Sequence, residues 1–169
     1  MFIRLASAAA LLLLAVFGAV AQDGLPLARF QFWDLHVLNG GRVCVVASRP
    51  TDAQPTNVIR GEILFMISSW PGDGIRNQPY AQMGYPLATE VSVTIDGETT
   101  FAMTEIDVAQ AREGAWLQSA VEEELLLAAM RGGREMVVRA RSTRGTNTVD
   151  IYSLLGISAA LDRAAQECR

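Results

Sequence analysis

Residues Val91 to Met103 constrain the fold more than any other stretch of this chain. Val91, Val93 and Ile95 alternate with Glu90, Ser92 and Thr94, Asp96-Gly97 follows, and Thr99, Phe101 and Met103 resume the alternation. Apolar residues at period two belong to a strand with one buried face. An Asp-Gly pair between two such runs is a tight-turn signal, because both residues tolerate positive φ. The segment is therefore read as a β-hairpin.

The same grammar recurs on either side. Phe30 to Val37 reads as a strand, Asn39-Gly40-Gly41 as a turn, and Arg42 to Ala47 as a return strand carrying Cys44. Arg49 to Asn57, with Pro50 and Pro55, reads as a loop, and Ile59 to Ser68 as a further strand. Ser69 to Gly84, rich in glycine, proline and amides, reads as a long surface loop. Arg134 to Arg141 and Thr148 to Leu155 form a third hairpin around a Ser/Thr/Arg/Gly turn. The period becomes helical only over Ala115 to Arg131, where Trp116, Ala120, Val121, Leu125 and Ala128 recur before Gly132-Gly133. Glu122, Glu123 and Glu124 in its middle read as a solvated surface. After Gly156 a last helix leads to Cys168. These elements imply a mainly β single domain, an antiparallel β-sandwich or partly closed barrel with one or two short helices. The pattern does not give the strand order.

The N-terminus sets an expected compartment. Arg4, the apolar run Ala8 to Val16 and the small residues Ala19-Val20-Ala21 have the three parts of a secretory signal peptide spanning residues 1–21. The apolar run is shorter than the roughly 20 residues that span a bilayer. Cleavage after Ala21 leaves a domain of residues 22–169 with 13 arginines against 18 acidic residues. A net charge of that sign argues against a general nucleic-acid binder. The expected location is periplasmic or secreted, with no later transmembrane segment.

Cys44 and Cys168 are the only cysteines. An even count in an exported chain suggests a disulfide, with two free thiols as the alternative. With one histidine, His36, and no Cys-x-x-Cys pair, no metal is expected, and no cofactor either. The chain has no lysine, which removes Schiff-base chemistry, a phosphate-loop lysine and a Ser–Lys dyad.

Read in order, further motifs resemble the invasion-associated locus B family of bacterial exported proteins. They run from Val43-Cys44 and Ala47-Ser48-Arg49-Pro50 through Arg60-Gly61, Gly84-Tyr85-Pro86, Glu90 to Gly97, Ala115-Trp116 and Ala128 to Gly132. The strongest portion is Met136-Val137-Val138, Ser142 to Thr146, Asp150-x-Tyr152-Ser153-Leu154, Gly156 and Ser158-Ala159-Ala160. The resemblance implies a small exported β-rich domain, in a family named from a locus linked to host-cell entry. It brings no established catalytic residues.

Candidate sites follow from the residues themselves. Arg139 and Arg141 share a strand face, Arg144 lies in the adjoining turn, and Arg131 and Arg134 flank the strand's start. Guanidinium forks match carboxylate, sulfate and phosphate groups, so this surface is a candidate contact for a protein or an anionic envelope component. The competing reading is a solvated face with Arg141 or Arg144 paired to Asp150. Asp150 and Tyr152 share a strand face and are read as fixing the turn. Arg144-Gly145-Thr146 lacks the carboxylate of an Arg-Gly-Asp contact and reads as turn chemistry. His36 with Asp34 gives an alternative, a hydrolase acting on envelope material, although no nucleophile motif surrounds them. Trp116 with Gly84-Tyr85-Pro86 is read as a possible groove or as buried aromatic packing. The favoured expectation is a non-enzymatic binding protein; a purely structural envelope protein is the third.

Overall fold

A computed structural model describes residues 25–105 and 113–168. The signal-peptide reading of residues 1–21 lies outside the described residues. The chain forms β1 (Ala28–Phe30), β2 (Trp33–Leu38), β3 (Val43–Ser48), β4 (Asp52–Gln54), β5 (Leu64–Trp70), β6 (Ile75–Gln82), β7 (Val91–Ile95), β8 (Thr99–Glu105) and β9 (Gly114–Trp116). Helix α1 (Ala120–Gly132), β10 (Glu135–Arg141), β11 (Asn147–Ser153) and α2 (Ile157–Glu167) complete it. All strand pairs are antiparallel, in the order β1-β2-β3-β5-β6-β9-β8-β7-β10-β11-β4.

This one sheet curls until β2 reaches the end of β11, so the architecture is the partly closed barrel rather than two separate layers. The Trp33 indole donates to the Ser153 carbonyl at 3.0 Å. Inside, Phe65 of β5 meets Tyr152 of β11 edge-to-face at 6.1 Å. Trp33, Leu35, Phe65, Val93, Met103, Met136 and Val138 are fully buried between the facing halves, each contributing about 1.5–3 kcal/mol of apolar burial. Helix α2 packs Ile157, Ala160, Leu161 and Ala164 inward, and the Cys44–Cys168 disulfide ties the residue after α2 to β3, with Cα atoms 6.0 Å apart. No described helix is long and apolar enough to cross a membrane.

The turns obey the local chemistry. Asp96 and Gly97 take φ of 50° and 76°, and Asn39 and Gly40 take 52° and 65°, the mirror-image turn that suits twisted strands. Several other segments differ from the sequence reading. Phe30 to Val37 is two strands, because Gln31 at φ 56° turns the chain and pairs Phe30 with Trp33. The loop Arg49 to Asn57 contains β4, an edge strand on β11. The strand expected from Ile59 starts only at Leu64, and Ile59 is wholly exposed.

The predicted loop Ser69 to Gly84 instead holds the end of β5, a short 3-10 turn and the eight residues of β6. Its proline is tolerated because β9 pairs only with Tyr80, Ala81 and Gln82. Pro79 therefore has a strand on one side alone, where a missing N–H costs nothing. Ala115 and Trp116 lie in β9 and not in the helix, paired between β6 and β8. Helix α1 starts later and buries Leu126 and Met130, while Val121 and Leu125 are exposed. Glu122 and Glu124 are solvated as expected, but Glu123 is half-buried and its burial raises its pKa, opposed by a hydrogen bond from Gln78.

Candidate functional site

The β10–β11 hairpin builds the site. Along β10, Met136, Val138 and Ala140 face the core while Arg139 and Arg141 face out. Beyond Arg141, the Ser142 carbonyl accepts the Gly145 N–H at 2.8 Å and the Ser142 N–H donates to the Thr146 carbonyl at 2.9 Å. Gly145 supplies the φ of 88° that this turn requires. A Cβ placed on Gly145 would sit 3.7 Å from the Arg141 guanidinium, so Arg141 lies over the turn that carries Arg144. None of Arg139, Arg141 and Arg144 forms an ion pair or side-chain hydrogen bond with a described residue.

The other two arginines of the proposed patch lie elsewhere. Arg131, at the end of α1, is paired with Asp162 of α2 at 2.9 Å. Arg134 precedes β10, roughly 20 Å of extended chain from Arg141; its backbone N–H donates to Asp96. Asp150 does not pair with Arg141 or Arg144. It points inward, is fully buried, and takes two guanidinium hydrogen bonds from Arg60 at 2.6 and 2.7 Å. Neither Asp150 nor Tyr152 fixes the turn. Burial first, and Asp150 second, drive the Tyr152 hydroxyl far above its usual pKa.

Arg60 also donates to the Met83 carbonyl and stacks over the Tyr85 ring, 5.0 Å from its centroid. The Tyr85 hydroxyl hydrogen-bonds Thr148 at 2.5 Å. Burial raises the Tyr85 pKa, partly offset by Thr148 and Arg60. The neighbouring glycines make this junction possible. The Gly61 N–H donates to the Gly84 carbonyl at 2.8 Å, Gly84 has φ 72°, and a Cβ on Gly84 would lie 2.7 Å from the Gly61 carbonyl. The 142–146 turn is tied to the same segment by Thr143 N–H to the Pro86 carbonyl at 2.9 Å. Between the turn and the Val58–Arg60 segment opens a cleft of about 600 Å³. Three separate motifs, Arg60-Gly61, Gly84-Tyr85-Pro86 and Ser142 to Thr146, thus converge on one place.

Trp116 is not part of that cleft. It packs against Tyr80 at 4.4 Å, which separates the aromatic-packing reading from the groove. His36 and Asp34 do line one surface hollow, but Asp34 is held by Arg29 in a two-pronged ion pair at 2.6 and 2.7 Å. That hydrogen bonding holds its carboxyl below the usual range. The Ser48 hydroxyl in the same hollow is buried and donates to the Phe32 carbonyl at 2.7 Å. Both groups are thus already engaged by partners within the protein. The buried Arg60–Asp150 pair is the element the sequence reading missed: its partners stand 90 residues apart.

The family model described as invasion associated locus B protein matches residues 37–165. The crystal structure of invasion associated protein B from Bartonella henselae superposes with a TM-score of 0.52 at 14% identity, covering 82% of this chain and 95% of that one. No curated protein sequence matches the chain.

Proposed function

The chain belongs to the invasion associated locus B family, and from that premise we propose that it is an exported, non-enzymatic envelope protein that binds a macromolecular partner through the Arg139, Arg141 and Arg144 end of β10. Its place is the periplasm or the cell exterior. The signal-like N-terminus and the Cys44–Cys168 disulfide support export.

One observation carries the binding face. Arg29, Arg49, Arg60, Arg131 and Arg163 each have a carboxylate partner. Arg42, Arg76, Arg134 and the three guanidinium groups at this end have none among the described residues, and only here do three such arginines fall on one strand end and its turn. Three unneutralised forks together on an acidic protein favour a partner presenting carboxylate, sulfate or phosphate groups. Crosslinking in intact cells tests the reading. Arg139→Glu with Arg141→Glu should abolish the crosslinked species seen with the wild type, and His36→Ala should leave it in place. An unchanged crosslink in the double variant would overturn the binding face.

A further inference from the structure

We propose that the cleft beneath the 142–146 turn is a carbohydrate subsite, taking one or two neutral hexose-type rings. Its volume of about 600 Å³ lies within the range of small-ligand sites. Its depth presents no net charge to a ligand. Arg60 and Asp150 neutralise each other with side chains only 7% and 0% exposed, and the Thr148 hydroxyl is occupied by Tyr85.

The walls supply what a polyol needs. Arg144 offers several N–H donors, Glu113 offers a carboxylate acceptor engaged, among the described residues, only by a long 3.5 Å contact from Gln82, and the exposed Thr143 and half-exposed Thr146 hydroxyls do both jobs. A phosphate or a uronic carboxylate gains from Arg144 but is repelled by Glu113. Sugar hydroxyls donate to one and accept from the other. Sugars also carry an apolar C–H face, and two apolar surfaces await it. Tyr85, half-buried and held by Arg60 over its ring and by Thr148 at its hydroxyl, contributes part of the lining, and Ile59, 102% exposed, stands at the rim. The Gly61–Gly84 crossing and the Thr143–Pro86 bond hold both walls before any ligand arrives, which reduces the ordering cost of binding.

Saturation-transfer NMR on the purified mature protein tests this with cellobiose, N,N′-diacetylchitobiose, digalacturonate and inorganic phosphate as probes. At least one neutral disaccharide should receive saturation. Ile59→Ser, Glu113→Gln and Arg144→Ala, all substitutions at the cleft's rim or walls, should each weaken it by about tenfold, equivalent to about 1.4 kcal/mol, with the circular dichroism unchanged. Silence from both neutral probes, or equal binding by all variants, overturns the subsite. So does binding of digalacturonate or phosphate alone that strengthens in Glu113→Gln, which would make the cleft an anion site. The measurement is independent of the cellular crosslink, so this site and the arginine face can fail separately.

Discussion

Arg60 and Asp150 bring two formal charges into the buried junction between β11 and the Met83–Tyr85 segment. Removing them from water costs several kcal/mol each, and the pair is tolerable because every close contact is made. The guanidinium spans both Asp150 oxygens and the Met83 carbonyl. Losing one partner leaves the other charged and buried, so Asp150→Ala should lower unfolding stability by about 3–5 kcal/mol. Denaturant titration measures it. Replacing both groups with apolar residues, Arg60→Met with Asp150→Leu, should recover most of that loss, and a double variant as unstable as the single one would refute the electrostatic account. The apolar pair also removes the support under Tyr85. None of this was legible in the sequence, where Arg60 sat at a supposed strand start and Asp150 looked like a turn partner. A contact across 90 residues leaves no local pattern.

At the scale of elements, legibility followed the range of the interaction that fixes each one. The turns at Asn39-Gly40, Asp96-Gly97 and Gly145 were readable because positive φ is a property of the residue itself. The outward face of Arg139 and Arg141 was readable too, since alternation along β10 needs only its own residues. Strands β6 and β9 were not. Polar β6 is held by its neighbours β5 and β9, and three-residue β9 is too short to show a period. One turn does a second, long-range job. The Asp96 carboxylate accepts the backbone N–H groups of Arg134 and Glu135 at the entrance to β10, and these bonds lower its pKa. A carboxyl with a depressed folded pKa stabilises above its ordinary range, near pH 3.9, and loses that contribution as pH falls through the folded value. Asp34, lowered by Arg29, acts in the same direction. The melting temperature should therefore drop below about pH 4, and Asp96→Asn should flatten that acid limb while lowering the neutral plateau. An identical acid limb in the variant would remove Asp96 from the account.

For the whole molecule, the question is what keeps an eleven-stranded sheet curled rather than open. Its two edge strands, β1 and β4, are three residues each, too short to close the barrel by a ladder of their own and short enough to discourage pairing with another chain. Closure comes instead from the chain that leaves β11. The Ser153 carbonyl holds the Trp33 indole, and Gly156 at φ 98° abuts the Phe30 carbonyl so closely that a Cβ would stand 2.0 Å from it. From this seam α2 runs back under β2 and β3, and the disulfide to Cys44 fastens its far end. The helix is thus held at two points of different kind, a packed seam at Gly156 and a covalent one at Cys168. With a sequence separation of 124, cross-linking constrains the unfolded chain strongly, and Cys44→Ser with Cys168→Ser should lose about 2–5 kcal/mol. The intact mass of the purified protein should also lie about 2 Da below its dithiol form, the two hydrogens lost in forming the bond. Because Ile157, Ala160 and Leu161 are buried near the seam, away from the bond, the helix should stay docked at its start and loosen at its end. Hydrogen exchange in the double variant should then rise from Ala164 toward Cys168 and stay slow around Ile157. Uniform loss of protection along α2 would mean that the disulfide, and not the seam, holds the sheet closed.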